Sequence, residues 1–180
     1  RLIEPDAGEI RVFGEDMTEI NDKKLNEIRK KVGYLFQGGA LYDSMSVREN
    51  LEFPIRRTQM IDDKNEVENR IEQALRSVGL LDAIDKMPAE LSGGMKKRIG
   101  FARALILKPD IILDDEPTTG LDAVTSGEIS ELILKVQEEY NASSIIITHD
   151  MKCAKITTNK IKILSEGHFI AEGTYDELSR

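Results

Sequence analysis

Four polar residues stand where short apolar runs of the sequence end, and their types suit phosphate chemistry. Asp115 and Glu116 close the run IILDDE, Gln37 closes VGYLFQ, and His149 follows SIIIT. Phosphoryl transfer uses such a pair of carboxylates, because Mg²⁺ neutralises the phosphate oxygens while a base orients the attacking water. An isolated Asp-Glu pair, or a histidine at the end of a strand, more often has a structural role, so neither identifies a site alone.

The stretch LSGGM adds a helix start that is suited to an anion. Ser92 can cap the helix, and Gly93 and Gly94 lack a Cβ, so backbone N–H groups can approach an anion at the positive end of the helix dipole. The basic residues at 96–98 would raise the local positive potential. An ordinary capped helix with a solvated basic face explains the stretch equally well.

The apolar patterns around these residues predict alternating strands and helices, and therefore an α/β fold. A short helix after residue 38 is predicted to stop at Pro54. The other predicted elements are strands at 10–13, 32–37, 111–115 and 144–148, a hairpin at 160–173 that turns at Glu166 and Gly167, and helices at 22–31, from Ser92 to Pro109, at 124–139 and at 175–180.

Residues 62–80 predict an amphipathic helix that has an acidic start and stops at Gly79. Its apolar face consists of Val67, Ile71, Leu75 and Val78. The inner face of the helix after Ser92 consists of Met95, Ile99, Ala102 and Ile106.

The runs IILDD and SIIIT are rich in β-branched residues and fit strands that are buried on both faces of a parallel sheet. Ligands of such sheets bind beyond the carboxyl ends of the strands. The polar residues that end these runs would meet at that edge.

The composition is that of one soluble globular domain, with 180 residues of which 40% are hydrophobic and 32% charged. The net charge of −8 disfavours nucleic acid as the main partner, because phosphate contacts require a concentrated basic surface. No apolar run approaches the roughly 20 residues of a membrane-spanning helix. The single cysteine, Cys153, cannot form an internal disulfide, which suits the cytosol.

The motifs together carry a resemblance that none of them carries alone. LSGGM, then RIGFARALILKPDIILDDEPTTGLD, then THD after an apolar strand resemble, in order and spacing, the nucleotide-binding domain of ABC transporters along essentially the whole chain. The resemblance implies a P-loop NTPase-like parallel-sheet core with an antiparallel β portion and a helical subdomain. It also implies that the complete protein binds ATP with Mg²⁺ and hydrolyses the ATP.

By this resemblance, Asp115 and the Q-loop residue Gln37 belong to the magnesium site. Glu116 polarises the hydrolytic water and His149 is the switch histidine, so these two residues and Gln37 form the catalytic set. The residues implied to bind nucleotide, from the signature motif and the end of the D-loop, are Leu91, Ser92, Gly93, Gly94, Met95 and Asp122. Met95 stands where the family more often has glutamine.

The chain departs from the family in one respect, since the phosphate loop G-x-x-x-x-G-K-[ST] does not occur in it. It begins where the family's first helix, just after that loop, would be ending. We therefore expect residues 1–180 to form a single ABC ATPase domain that is incomplete at its N-terminus, with a helical subdomain within 38–90. Such a chain is not expected to be an active ATPase alone.

The stretch GYLFQGGALYDSMSVRENLEFPIRR, together with Met95, is similar to the ATPases of the Mla/Mce-type phospholipid transporters of bacteria. This resemblance implies a homodimer of ATPase subunits on the cytoplasmic side of the inner membrane, with a permease and a Mce-type substrate-binding protein as partners. The stretch is also explained if it only packs the helical subdomain.

Two other hypotheses stay open. Soluble ABC ATPases of DNA repair or translation have long coiled-coil insertions or tandem domains, whereas only residues 38–90 separate the Q-loop from the signature motif here. Alternatively, the chain by itself is an interaction fragment without enzyme activity. Nucleotide binding by this chain and by an N-terminally completed chain would separate the last hypothesis from the transporter ATPase.

Overall fold

The computed structural model describes residues 5–58, 61 and 63–179. Residues 1–4 and 180, at the ends of the predicted 1–180 domain, lie outside the described residues, as do residues 59, 60 and 62 of the predicted 38–90 subdomain. The predicted acidic start at Asp62 and the predicted last helical residue, Arg180, are therefore not described.

Strands and helices alternate along most of the chain, and none of the described helices is long and apolar enough to cross a membrane. The strands are β1 (Arg11–Val12), β2 (Glu15–Asp16), β3 (Val32–Leu35), β4 (Ile111–Asp115), β5 (Ser143–Ile147), β6 (Ile161–Ser165) and β7 (His168–Gly173). The helices are α1 (Asp22–Lys30), α2 (Val47–Thr58), α3 (Lys64–Ser77), α4 (Gly93–Leu105), α5 (Ala123–Tyr140), α6 (Met151–Thr157) and α7 (Tyr175–Leu178), with short 3-10 helices at Leu81–Ala83 and Pro88–Glu90.

Strands β3, β4 and β5 form a parallel sheet in that order, with Asp115 beside Ile147. The pairs β1–β2 and β6–β7 are antiparallel. This arrangement confirms the predicted α/β fold with a parallel core and an antiparallel portion. The first strand is shorter than predicted, because the chain turns at Phe13 and Gly14, which both have positive φ, and pairs back as β2.

The helices α2, α3 and α4 contribute much of the hydrophobic core. Asp63 caps α3 and Ser92 caps α4, as expected for short polar side chains that accept from the first free N–H groups. The predicted inner faces are confirmed by the burial of Val67, Ile71, Leu75, Val78, Ile99, Ala102 and Ile106, with Met95 partly buried against them. The division of the chain into a domain and a 38–90 subdomain stays a prediction.

The prediction that α2 stops at Pro54 is wrong, since the helix continues through this residue to Thr58. Val47, Leu51 and Ile55 lie four residues apart on one face, and all three are fully buried. Burial of a side chain such as Ile55 contributes about 1.5–3 kcal/mol, which offsets the cost of about 3 kcal/mol for a proline inside a helix. The Thr58 hydroxyl also donates to the Pro54 carbonyl.

Strands β4 and β5, which contain the runs IILDD and SIIIT, differ in burial. Ile112 in β4 is fully buried, whereas Ile145 and Ile147 in β5 are each 62% exposed. Among the described residues, β5 is an edge of the sheet. The prediction of burial on both faces is therefore wrong for β5.

Candidate functional site

The polar residues predicted to form a site lie at the carboxyl edge of the parallel sheet β3–β4–β5. Gln37 lies two residues beyond β3, Asp115 is the last residue of β4, and His149 lies two residues beyond β5. Glu116 follows Asp115 directly. Because the three strands are parallel neighbours, these positions share one edge, which is where open α/β sheets bind ligands.

Glu116 and His149 are in direct contact at this edge. His149 Nδ1 lies 2.8 Å from Glu116 Oε1, and the Thr119 hydroxyl donates to Glu116 Oε2 at 2.9 Å. Burial pushes the pKa of Glu116 upward, but the hydrogen bonds from His149 and Thr119 outweigh it and hold this pKa below its ordinary value. The hydrogen bond to Glu116 and the negative charge of Glu116 raise the pKa of His149. The pair therefore favours an ionised carboxylate beside a protonated imidazole.

A second contact joins the same two loops. The Thr118 hydroxyl donates to Asp150 Oδ2 at 3.0 Å. Asp150 in turn caps α6, because its Oδ1 accepts from the N–H groups of Lys152 and Cys153. Thr118 and Asp150 are not among the residues predicted from the sequence, although an aspartate directly before a helix is a signal for an N-cap. The loop that carries His149 is thus anchored to a helix start.

The backbone turns sharply at Glu116. Its φ of +50° lies in the left-handed region, which is unfavourable for a residue with a Cβ. Its N–H donates to the Ile147 carbonyl at 2.9 Å, and its own carbonyl accepts from the Thr119 N–H at 3.2 Å and from Lys97 Nζ at 2.9 Å. The contact of Lys97 is not evident from the sequence, since the pattern KKR indicates a basic patch and does not show which lysine turns inward.

Asp115 and Gln37 supply oxygen donors of the kind that Mg²⁺ prefers. The Asp115 carboxylate is half-buried and makes no hydrogen bond to any residue within 5–58, 61 and 63–179, and Gln37 is exposed. Mg²⁺ usually takes one or two carboxylates together with waters and phosphate oxygens, so this sparse set fits the ion. No group of three His, Cys, Asp or Glu residues in the described part of the chain could enclose a metal ion.

Asp114 lies in a different environment from Asp115, because adjacent residues of a strand face opposite sides of the sheet. The residue is 1% exposed, and neither carboxylate oxygen has a hydrogen-bond partner among the described residues. Burial raises the pKa of Asp114 to about 7. Of the three consecutive acids, Asp114 is buried, whereas Asp115 and Glu116 are partly exposed.

The glycine pair begins α4 as predicted, and it packs against the start of α5. Ser92 Oγ accepts from the Met95 N–H at 3.3 Å. A Cβ on Gly94 would lie 2.9 Å from Thr125 Cγ2, which is closer than Cβ atoms approach other atoms, whereas Gly93 has more room. Contacts within the chain are thus sufficient to require a glycine at position 94.

Two further residues of the predicted nucleotide-binding set, Asp122 and Leu91, also have roles within the chain. Asp122 caps α5, where its carboxylate accepts from the N–H groups of Val124 and Thr125 at 3.0 Å and from the Thr125 hydroxyl at 2.6 Å. The hydrogen bonds from Thr125 lower the pKa of Asp122. Leu91 is buried in the core. Ser92 and Gly93 are exposed, and the nucleotide contacts of the set stay a prediction.

Comparison with known proteins connects this geometry to a family. Residues 1–119 match the family model described as ABC transporter. The methionine import ATP-binding protein MetN 1 of Bacillus thuringiensis subsp. konkukian (strain 97-27) is 38% identical over 172 residues, which is 96% of this chain. The intermembrane phospholipid transport system ATP-binding protein MlaF of Haemophilus influenzae (strain ATCC 51907 / DSM 11121 / KW20 / Rd) is 39% identical over 174 residues, which is 97% of this chain.

A solved structure with a similar fold is the dimeric post-hydrolysis state of the ATP-binding cassette MJ0796 bound to ADP and Pi. It matches with a TM-score of 0.84 and 30% identity, over 97% of this chain and 76% of that one. The chain spans 50% of the length of MetN 1 and 66% of the length of MlaF. The similarity therefore covers nearly all of this chain but only part of its longer relatives.

Proposed function

This chain belongs to the ABC transporter family, and from that premise we propose that its complete protein is the ATP-binding and ATP-hydrolysing subunit of a membrane transporter. The proposal rests on the 2.8 Å contact between Glu116 and His149 at the carboxyl edge of the parallel sheet. An ionised carboxylate there, directly after the accessible carboxylate of Asp115, has the chemistry that hydrolysis of a phosphoanhydride requires.

In the proposed reaction, Glu116 orients a water for attack on the terminal phosphate of ATP. Its lowered pKa keeps the carboxylate ionised at neutral pH, so that it can accept a hydrogen bond from that water. His149 holds the carboxylate through Nδ1, and its raised pKa favours a positive charge beside the phosphate. Asp115 and Gln37 would hold Mg²⁺, which neutralises phosphate oxygens when it is bound.

We further propose that the complete protein works as a homodimer in which the signature motif of one subunit contacts ATP held by the other. The exposed Ser92 and Gly93 leave the N-terminal turn of α4 accessible to an anion. The MJ0796 cassette, which is similar to this chain, is described as dimeric and bound to ADP and Pi. Both observations support the homodimer.

For the transported substrate we propose a phospholipid or another hydrophobic molecule, with a permease and a Mce-type protein as partners on the cytoplasmic side of the inner membrane. The stretch GYLFQGGALYDSMSVRENLEFPIRR and the similarity to MlaF support this choice. Methionine import is the second candidate, because MetN 1 is 38% identical to the chain. Reconstitution with each kind of permease separates the two, since only the cognate permease should couple ATP turnover to its substrate.

The test of ATP hydrolysis uses the extended protein, which we define as this chain joined to the natural reading frame upstream of Arg1. Glu116→Gln should bind Mg-ATP as tightly as the parent but lower turnover about a hundredfold or more, because the amide keeps the shape of the side chain but loses the carboxylate. Glu131→Gln, on the exposed side of α5, is the matched control. Undiminished hydrolysis by Glu116→Gln would remove Glu116 from this role.

A further inference from the structure

Lys97 is a buried cation on α4 that no proposed step of ATP hydrolysis uses. Lys97 is only 6% exposed, and its Nζ donates to the Glu116 carbonyl at 2.9 Å. Burial lowers the pKa of Lys97, while the nearby Glu116 charge opposes that shift. A buried ammonium is costly unless its hydrogen bonds are well placed. Within the described residues, this carbonyl is the one hydrogen-bond acceptor that Lys97 reaches.

The carbonyl that Lys97 contacts belongs to Glu116, where the backbone makes a sharp turn. Glu116 has a left-handed φ of +50°, so its backbone needs contacts on both sides to hold that conformation. The Ile147 carbonyl accepts from its N–H, and Lys97 Nζ and the Thr119 N–H donate to its carbonyl. The same turn places the carboxylate against His149 and Thr119. Orientation of the backbone and orientation of the carboxylate are therefore set together.

We infer that Lys97 is a positioning residue, which holds the Glu116 turn in the conformation that brings the carboxylate to His149. Lys97 lies one helical turn after Gly93, where α4 begins. The hydrogen bond thus connects the helix end that carries the signature motif to the carboxylate of the same chain. The catalytic consequence of this inference rests on the proposed ATP hydrolysis, but the geometric consequence does not.

The kinetic test compares three variants of the extended protein. Lys97→Met keeps most of the side-chain volume and removes the donor, and Lys97→Gln keeps an N–H donor. Lys135→Met makes the same change at an exposed lysine of α5 that has no side-chain hydrogen bond among the described residues. Lys97→Met should lower kcat about tenfold or more with the KM for ATP unchanged, because a charged hydrogen bond at the carboxylate turn is lost. Lys97→Gln should recover much of kcat, and Lys135→Met should equal the parent.

A second measurement reads the geometry without any catalysis. The pKa of His149 is followed by NMR in the nucleotide-free extended protein, and it should fall in Lys97→Met, because Glu116 no longer holds its contact with the imidazole. It should keep the parent value in Lys135→Met. This measurement stays decisive if Lys97→Met is too unstable for kinetics, since Lys97→Gln should then show a smaller shift in the same direction.

The outcomes separate the inference from the function on which it rests. A parent protein that hydrolyses no ATP would overturn the proposed function, and the pKa of His149 would then decide the role of Lys97 alone. With an active parent, a purely structural role of Lys97 predicts a lower melting temperature with unchanged kcat and an unchanged pKa of His149. In a folded Lys97→Met protein, an unchanged kcat or an unchanged pKa of His149 would overturn the inference.

Discussion

The contact between Glu116 and His149 couples the protonation of the two side chains. The pKa of His149 is raised above 6.5, so the stability gained from this shift is complete below pH 6.5 and is lost as pH rises through the raised pKa. The pKa of Glu116 is lowered from 4.5, so its contribution is present above pH 4.5 and is lost as pH falls through the lowered pKa. The contact between Glu116 and His149 is therefore strongest between pH 4.5 and pH 6.5, the ordinary pKa values of the two side chains.

We expect an NMR titration of the nucleotide-free extended protein to place the pKa of His149 above 6.5. Glu116→Gln should bring this pKa back toward its ordinary value, because the negative charge and the strong acceptor are lost. Glu131→Gln serves as the control for charge removal, and His149→Asn identifies the signal. A parent pKa at or below 6.5, or no change in Glu116→Gln, would contradict the contact.

At the residue scale, the sequence predicts positions better than contacts. The apolar runs before Gln37, Asp115 and His149 were enough to place these residues beyond strand ends at one edge of the sheet. The burial of Lys97 could not be predicted, because a lysine within KKR reads as a solvated charge until the partner carbonyl is known. The cap formed by Asp122 has a local signal, an aspartate directly before a helix, but the same residue also fits the Gly-Leu-Asp motif.

The packing of α4 against α5 determines how Gly94 can be tested. Gly94→Asp places both bulk and negative charge at the predicted anion site, so it should block ATP-driven dimerisation in the extended Glu116→Gln background. Its Cβ would also overlap Thr125 Cγ2, and overpacking of this kind costs about 1–3 kcal/mol. Thr125→Ser removes that methyl group but keeps the hydroxyl that donates to Asp122. The informative protein is therefore the double variant Gly94→Asp/Thr125→Ser.

Light scattering after size-exclusion chromatography with ATP measures the dimer, and thermal melting measures the monomer fold. The double variant should melt closer to the parent than Gly94→Asp does, yet it should stay monomeric. Gly94→Ala/Thr125→Ser is the matched control, since it adds the Cβ without the charge and should dimerise more strongly. If Gly94→Asp/Thr125→Ser dimerises like its parent, the glycine pair is only a helix start.

At the element scale, local signals were reliable where no tertiary contact opposed them. Ser92 caps α4, Gly79 follows α3 with a φ of +70°, and the hairpin turns at Glu166 and Gly167, as predicted. Pro54 is a helix-stop signal of similar strength, but the burial of the α2 face opposes it and the helix continues. Whether packing overrides a stop signal depends on residues distant in the chain, so the pattern around Pro54 could not decide it.

At the scale of the molecule, several of the most exposed large apolar side chains of the described residues lie on β5 and on the hairpin β6–β7. Ile145, Ile147, Leu164, Phe169 and Ile170 are each 62–66% exposed. Single exposed apolar residues are ordinary, but neighbouring exposed apolar residues on one strand or hairpin are typical of a surface that meets another segment or chain. The composition of SIIIT predicts a strand that is covered on both faces, and the described residues cover only one of them. We expect other residues of the extended protein to pack against the exposed face of β5.

The 180-residue chain alone should therefore bind Mg-ATP far more weakly than the extended protein and should unfold at a lower temperature. Covering a large apolar side chain stabilises a fold by about 1.5–3 kcal/mol, so burial of only two of these side chains should raise the melting temperature by about 5 °C or more. In the part of the chain that the structure describes, one edge of β5 is unpaired, which also favours aggregation of the shorter chain. The measurements are titration with a fluorescent ATP analogue in Mg²⁺ and parallel thermal melts, with Ile145→Thr in both chains as the control. This substitution should reduce aggregation of the short chain but destabilise the extended one, because the same side chain is exposed in the first and covered in the second. Micromolar ATP binding by the short chain, together with equal melting temperatures, would contradict this prediction and indicate that nucleotide is held elsewhere.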